Sequence, residues 1–596
     1  MSKPWCHDLG GGLMTRTLRA LVVLVACALV LAGCSRLPQS GPVGESEDLG
    51  TTGESVTHTF NPAGPAEDAS PESIINGFIV AATGVQDDFA VARSYLTDSA
   101  AEQWDPLART LVYQGSPAVV STEDTDTYTV QLEVDSAVDA QGVMSPLPSE
   151  TTEALEIKLT EVDGQWRISE LPDGIALDSA QFSALFVSQT LYFYDFDYHN
   201  AVPDTRWFLD RPGQATAIVE ALITGPASYL EGAVANPMEQ VELARPSVPI
   251  SSGTASIDVK ADSLAGTSAL QRQRIEHQLQ MTLGTRPRIS DVKLTVGLED
   301  VDTGEPDPQF RETPTTYSVG ARQIAINHDT NQLVYYQGSN ITEIPGVADV
   351  SSLGPHEPTM NVEGNRFVFL NEDSTQMVGA TNGSAVQELA SGTDLLAPSL
   401  DNRGWAWTVS SVEDEHSEDA GESENAEAAV SGGEQTLLAS EFDGEQVQEI
   451  SVPWLMDGEI KAVRVSPEGS RIAMILERDN SQQLFISGIV RDDSGKPLGL
   501  VEPLVVETAA PANRVQWYSM NEVLIGEVSS SERVELEMIG LAGTSVTFKP
   551  MLGMRGFSTG AGNATVYAET DDEVYIRVGT NWRAQEDNAD DLSYPG

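Results

Sequence analysis

One phrase recurs six times in the second half of this chain, a polar turn running straight into a short alternating strand. The copies are Asp329-Thr-Asn-Gln-Leu-Val-Tyr335, Glu363-Gly-Asn-Arg-Phe-Val-Phe369, Asp401-Asn-Arg-Gly-Trp-Ala-Trp407, Glu468-Gly-Ser-Arg-Ile-Ala-Met474, Tyr518-Ser-Met-Asn-Glu-Val-Leu-Ile525 and Gly562-Asn-Ala-Thr-Val-Tyr567. Most lie about 34 to 51 residues apart, and roughly 40 to 50 residues is what one four-stranded propeller blade requires. A single unit of this kind cannot bury its apolar face alone, so the repeat predicts radial stacking into a β-propeller of six or seven blades over residues 317–584. A β-sandwich is the competing all-β reading.

One gap between copies is longer, about 67 residues, and it contains an acidic stretch, 410–435, in which nine acids crowd among Ser, Ala and Gly. Such a segment cannot build a core and is expected to be a disordered insertion within a blade. Residues 585–596 are expected to be an acidic tail. Ser466-Pro-Glu-Gly-Ser-Arg-Ile-Ala473 also looks like the Ser-Pro-Asp-Gly signature of TolB-type propellers.

The amino-terminal text is of another kind. Arg16 and Arg19 precede the apolar run Ala20–Leu31, which leads into Leu31-Ala-Gly-Cys34. These are the charged, apolar and cleavage regions of a secretory signal, in order. Twelve apolar residues are too few to cross about 30 Å of hydrocarbon, so a membrane span is not expected. Leu-Ala-Gly-Cys resembles a lipobox, which implies cleavage between Gly33 and Cys34 and an S-diacylglycerol plus an N-acyl group on Cys34. The signal peptide is assigned to 1–33. Met14-Thr-Arg-Thr-Leu-Arg19 suits a signal start better than Met1–Leu13, so initiation is expected at Met14. Of the three cysteines, Cys6 and Cys27 precede the cut, so the mature chain would hold no disulfide.

From Cys34 to residue 70 the chain is rich in Pro, Gly, Ser, Thr and acid, and reads as a tether with an r.m.s. span of roughly 30 to 35 Å. Ser70-Pro71-Glu72 then marks a helix start, Ser as N-cap and Pro at the first helical position. A second helix is expected near Asp87–Leu96. Alternating strands follow around Tyr128–Val134 and Leu155–Leu159, with an Asp163-Gly164 hairpin turn. Two helices on a curved antiparallel sheet over 71–183 look like an NTF2-type α+β domain.

A second α+β domain is expected over 184–298. Its parts are a strand at Leu191–Phe196, a helix near Ala215–Ile223 stopped by Gly225-Pro226, a strand at Ser256–Val259, a helix through Ile275 and Leu279, and a closing strand Val292–Val296. Tyr192-Phe-Tyr-Asp195 and Leu222-Ile-Thr-Gly-Pro226 resemble a GerMN-type domain. Residues 299–316, with Pro306, Pro308 and Pro314, read as a linker.

The formal charge of −57, from 90 acids against 33 Lys and Arg, argues against nucleic acid, since phosphate contacts require clustered cations. Gly556-Phe-Ser558-Thr-Gly560 matches a nucleophile elbow, but a turn into a strand follows where that motif needs a helix. No His follows His416 either, so a β-turn is expected. Asp195, Asp197 and His199 at period two would share one face of a strand, a weak candidate metal set. A solvated strand face is the plainer reading. No phosphate-cradling loop or zinc motif is present, so neither cofactor nor catalysis is expected.

The order of parts, together with Leu37-Pro38, Trp166-Arg-Ile168, Leu171-Pro-Asp-Gly174 and Thr224-Gly-Pro226, resembles the LpqB family of actinobacterial lipoproteins over nearly all of the mature chain. The resemblance implies a non-enzymatic accessory anchored to the extracytoplasmic face of the cell membrane. Its implied partner is the extracellular sensor of an MtrB-type histidine kinase, whose two-component signalling it would tune in envelope growth and division. A cell-wall-binding module, with peptidoglycan as ligand, or an envelope hydrolase is the alternative.

Overall fold

The computed structural model describes residues 61–596, apart from 123–125, 148–150, 384, 412–434, 456–457, 479–480, 563 and 586–588. The signal peptide, Gly33, Cys34 and most of the tether therefore lie outside the described residues, as does nearly all of the acidic insertion.

The first helix, Pro71–Ala81, begins where Ser70 Oγ accepts the Ser73 amide at 3.3 Å, and it buries Ile74, Ile75 and Phe78 along one face. The helix expected near 87–96 is cut short to Ala90–Arg93, because Asp87, Asp88 and Phe89 all take positive φ (47°, 55° and 59°) and cannot continue a right-handed turn. A third, Asp98–Gln103, is capped by Thr97. These pack on a six-stranded sheet whose long strands are Arg109–Ser121, Thr127–Asp139 and Thr152–Val162. Trp104 wedges between the layers, its ring edge-on to Phe78 at 5.2 Å. The hairpin to Gln165–Glu170 turns at Asp163 and Gly164, both at positive φ, the geometry that matches strand twist.

The second domain opens with a hairpin, Phe186–Tyr194 paired with Ala201–Leu209. The helix Gln214–Thr224 ends at Gly225, whose φ of 115° a side chain would not tolerate. Thr254–Asp258 and Asp291–Val296 run parallel, and the crossover that parallel pairing demands is the helix Ala269–Leu283. Leu191, Phe193, Ile218, Ile257, Ile275 and Leu294 form the core between them.

The stretch expected as a linker is structured against this domain. Glu299–Asp300 adds an antiparallel strand to Val296. Gln273 Nε2 then donates to the carbonyls of Thr303 (3.1 Å) and Glu305 (2.9 Å), and the Thr313 amide donates to His277 Nε2 at 3.0 Å. Long polar side chains of one helix thus satisfy a proline-rich backbone that has no ladder of its own.

Six antiparallel sheets follow among the described residues, each a propeller blade, five of them four-stranded and the one containing Glu459–Val465 five-stranded. Their innermost strands are Ala589–Ser593, His356–Met360, Ser399–Leu400, Glu459–Val465, Arg514–Trp517 and Gly556–Thr559. The count settles on six, and the closed ring replaces the sandwich. The ring closes where Ala589–Ser593 joins Gln323–Asn327. Within the stretch expected as an acidic tail, 585–596, residues 589–596 are therefore part of the ring. Ala589, Leu592 and Tyr594 are buried, and pairing them removes the edge that an open ring would expose.

The boundaries of the acidic insertion also move inward. Trp405–Ser411 pairs with Gln435–Glu441 up to Ser411 opposite Gln435, so Ser410, Ser411 and Gln435 are strand residues.

Candidate functional site

The strand Phe186–Tyr194 stops one residue before Asp195, and residues 195–200 form a turn, so the period-two face imagined for Asp195, Asp197 and His199 does not exist. Asp195 folds back instead. Its Oδ1 accepts the amides of His199 (2.7 Å) and Asn200 (3.0 Å), and its Oδ2 accepts Asn200 Nδ2 at 2.7 Å. What remains of the two carboxylates receives a propeller arginine. Arg403 Nη2 lies 2.6 Å from Asp195 Oδ2, Nη1 lies 2.7 Å from Asp197 Oδ2, and the guanidinium carbon stands 4.2 Å from the centre of the Phe196 ring. His199 Nδ1 is 2.8 Å from Asp197 Oδ2.

These residues form a socket for an arginine, and no cluster of three metal-binding side chains occurs among the described residues. Burial pushes Asp197 upward, but Arg403 and His199 outweigh it and hold the carboxyl well below the usual range. Asp195, fully buried, is pushed up by desolvation against the same arginine.

Arg403 is delivered by the repeat phrase itself. Asp401 Oδ1 accepts the amides of Arg403 (2.9 Å) and Trp405 (2.8 Å), fixing the turn. Its Oδ2 takes Trp407 Nε1 at 3.0 Å and Arg491 Nη2 at 2.6 Å. The Ser-Pro-Glu-Gly-Ser-Arg turn of the next blade is built likewise. Glu468 Oε1 accepts Ser466 Oγ at 2.5 Å and Arg471 Nε at 2.6 Å, with both charges buried.

Apolar contact fills the same junction. Ala227, Tyr229 and Leu230 of the second domain share one cluster with Ala473, Ile486 and Trp517 of the propeller. Gly488 must be glycine there, since a Cβ would stand 2.6 Å from that of Ala233. The hairpin's Trp207 Nε1 donates to Ala542 O at 3.1 Å. The second domain thus caps one end of the propeller shaft. Arg403 was not singled out from sequence, because nothing in Asp401-Asn-Arg-Gly distinguishes an arginine aimed at another domain from one in water.

Gly556–Thr559 is an innermost strand, neither an elbow nor the β-turn expected. Ser558 is fully buried and donates to Gln323 Oε1 at 2.5 Å, so no substrate can reach it.

Within the shaft, Arg514 grips Glu357 with both terminal nitrogens, Nη1 to Oε2 at 2.6 Å, and Arg555 contacts Asp590. Burial pushes Glu357 up, but Arg514 outweighs it and holds the carboxyl below the usual range. Burial and the neighbouring Asp591 push Glu569 up to about 8. The shaft mouth away from the second domain opens into a cavity of about 290 Å³.

A helix-on-sheet domain and a GerMN domain locked onto a six-bladed ring define a multidomain β-propeller protein. Residues 64–183 match the N-terminal domain of Lipoprotein LpqB, residues 331–595 match the Lipoprotein LpqB beta-propeller domain, and residues 190–301 match the Germane domain of sporulation and spore germination. Lipoprotein LpqB of Bifidobacterium longum is 27% identical over 517 residues, 82% of this chain and 81% of that one. Lipoprotein LpqB of Streptomyces coelicolor is 28% identical over 553 residues, 85% and 84% of the two chains. The solved structure of TolB from Acinetobacter baumannii aligns at 11% identity over 46% of this chain and 65% of its own, with a TM-score of 0.30. The chain belongs to the LpqB lipoprotein family.

Proposed function

We propose that this chain is a non-enzymatic accessory lipoprotein that binds the extracellular sensor of an MtrB-type histidine kinase and modulates its signalling in envelope homeostasis and division. Cys34, freed by cleavage after Gly33, carries an S-diacylglycerol and an N-acyl chain on the extracytoplasmic face of the cell membrane, and residues 34–70 serve as tether. Each buried methylene contributes roughly 0.8 kcal/mol, so two or three chains hold far longer than one.

The observation that carries this reading is the Arg403 junction. It commits buried charged groups to locking a GerMN domain to a propeller, which suits a rigid platform for another protein. Confinement beside a membrane kinase raises the effective concentration of each for the other.

The test is a pull-down of the full-length, tagged lipoprotein from detergent-solubilised membranes, comparing wild type with Cys34→Ala. Wild type is expected to recover the sensor kinase, and the unlipidated variant to be released, folded and poorer at recovery. Wild-type membranes that yield no sensor kinase would sink the proposal.

A further inference from the structure

The open mouth of the shaft differs in charge from the rest of the molecule. In a chain with 90 acids against 33 Lys and Arg, its cavity is walled by His356, Lys461, Arg464 and Arg514 with a single carboxylate, Glu357. Most of that positive charge is already answered. Arg514 holds Glu357, and Lys461 Nζ lies 2.7 Å from Glu459 and 3.4 Å from Glu477.

Arg464 is the exception. The residue is 6% exposed and forms no ion pair among the described residues, although Gly596 packs against one edge of its guanidinium, where a Cβ would stand 3.5 Å from Nε and Nη2. The guanidinium donates only to neutral acceptors, Pro398 O (3.3 Å), Ser593 Oγ (3.4 Å) and Tyr594 O (3.0 Å). Three bonds leave two of its five N–H groups without a protein acceptor. Burial, then the like charge of Arg514, brings its pKa down to about 10 against the longer-range pull of Glu357, which Arg514 already holds. A desolvated cation so placed gains from an anion, because charge-assisted hydrogen bonds are about twice as strong as neutral ones and are screened little inside a protein. Beside it the Gln516 side chain, also buried, makes no hydrogen bond within the described protein and borders the same cavity.

We propose that the shaft mouth is a binding site for a compact oxyanion, a carboxylate or phosphate group, held by Arg464 and Gln516. The cavity suits the scale. At roughly 30 Å³ per water, about 290 Å³ equals some ten waters, room for one oxyanion and the short stem that carries it, but not for a folded segment. The site faces away from the GerMN domain, so a ligand can enter without opening the Arg403 junction. It does not rest on the kinase proposal, whose test reads recovery of a sensor kinase and not anion binding.

The experiment is isothermal titration of the full chain in detergent micelles at fixed chloride, with inorganic phosphate in one arm and N-acetyl-aspartamide in the other. Wild type is expected to bind at least one of them at one equivalent. Arg464→Met and Gln516→Leu are each expected to weaken that binding tenfold or more, the melting temperature of each being recorded first. Should Arg464→Met fail to fold, Gln516→Leu decides alone, because its side chain anchors nothing else. Binding of phosphate alone assigns a phosphate-bearing ligand, and binding of the aspartamide alone assigns a peptide carboxylate. Absence of binding to wild type, or binding that the folded variants leave unchanged, overturns the proposal.

Discussion

Arg403 and Asp195, 208 residues apart in the chain, meet at 2.6 Å, and with Asp197 they clamp the GerMN domain to the propeller. Asp195 has no access to water, so its charge depends on this partner. Breaking one side of a buried pair typically costs about 3–5 kcal/mol, because the remaining charge is stranded. Arg403→Met is therefore expected to destabilise the junction by that order. Calorimetry should show the GerMN transition separating to lower temperature. Arg403→Met with Asp195→Asn should recover part of the loss by removing the stranded charge. A variant that melts as wild type does would mean that the apolar contacts alone hold the domains.

Ser558 gives a second prediction, since two structural assignments compete for one hydroxyl. It is buried and bonded to Gln323 Oε1, while Gln323 Nε2 already lacks a partner among the described residues. Ser558→Ala would leave that amide with neither bond, at a cost of about 1–3 kcal/mol. Urea denaturation should show the loss. Hydrolysis of p-nitrophenyl acetate should be the same background for both proteins, and a rate that disappears with Ser558 would restore the nucleophile.

Legibility followed the range of the forces involved. Local signals read well: the Ser70 cap, the Asp163-Gly164 turn and the Gly225 stop each act within a few residues. The repeat was legible because each copy makes the same local turn. In five copies that turn joins a blade's innermost strand to its second. The first copy, at Asp329, instead joins Gln323–Asn327 to Leu333–Gln337, because that blade borrows its innermost strand from the other end of the chain. Long-range partners left no local trace. The acids of Asp195-Phe-Asp197 look the same in sequence whether they meet a metal, water or Arg403. Gln273 likewise gives no hint that it will hold the backbone of Thr303.

The closing strand yields a third prediction. Ala589–Ser593 supplies the innermost strand of its blade, and Glu569 accepts the amides of Asp591 (2.7 Å) and Leu592 (2.9 Å) from it. Truncation after residue 585 should open the ring and expose the edge of Gln323–Asn327. Size-exclusion chromatography and far-ultraviolet dichroism are expected to report aggregation and loss of a cooperative melt. A truncated protein that stays monomeric with its original melting temperature would make this segment the dispensable tail its acidity suggests.

Glu569 makes the last prediction, and its sign follows from proton linkage. Its ordinary pKa is 4.5, and in the folded shaft burial and Asp591 push it up to about 8, against the opposing pull of Arg555 and Arg514. Between these values the folded protein holds a proton that the unfolded chain has released. Stability from this group is thus complete below about pH 4.5 and is lost as pH rises towards 8, by no more than about 1.4 kcal/mol per pH unit. Glu569→Gln stays neutral throughout and removes the slope. The amide nitrogen cannot accept the Asp591 amide, which imposes a constant loss of about 1 kcal/mol at every pH. Urea midpoints of the two proteins from pH 4 to 8 are therefore expected to cross: the wild type starts ahead, loses its advantage of about 1 kcal/mol within about one unit above pH 4.5, and is the less stable of the two by pH 8. A stability difference that stays flat across this range, or shifts towards the wild type as pH rises, would place the Glu569 proton elsewhere in the shaft.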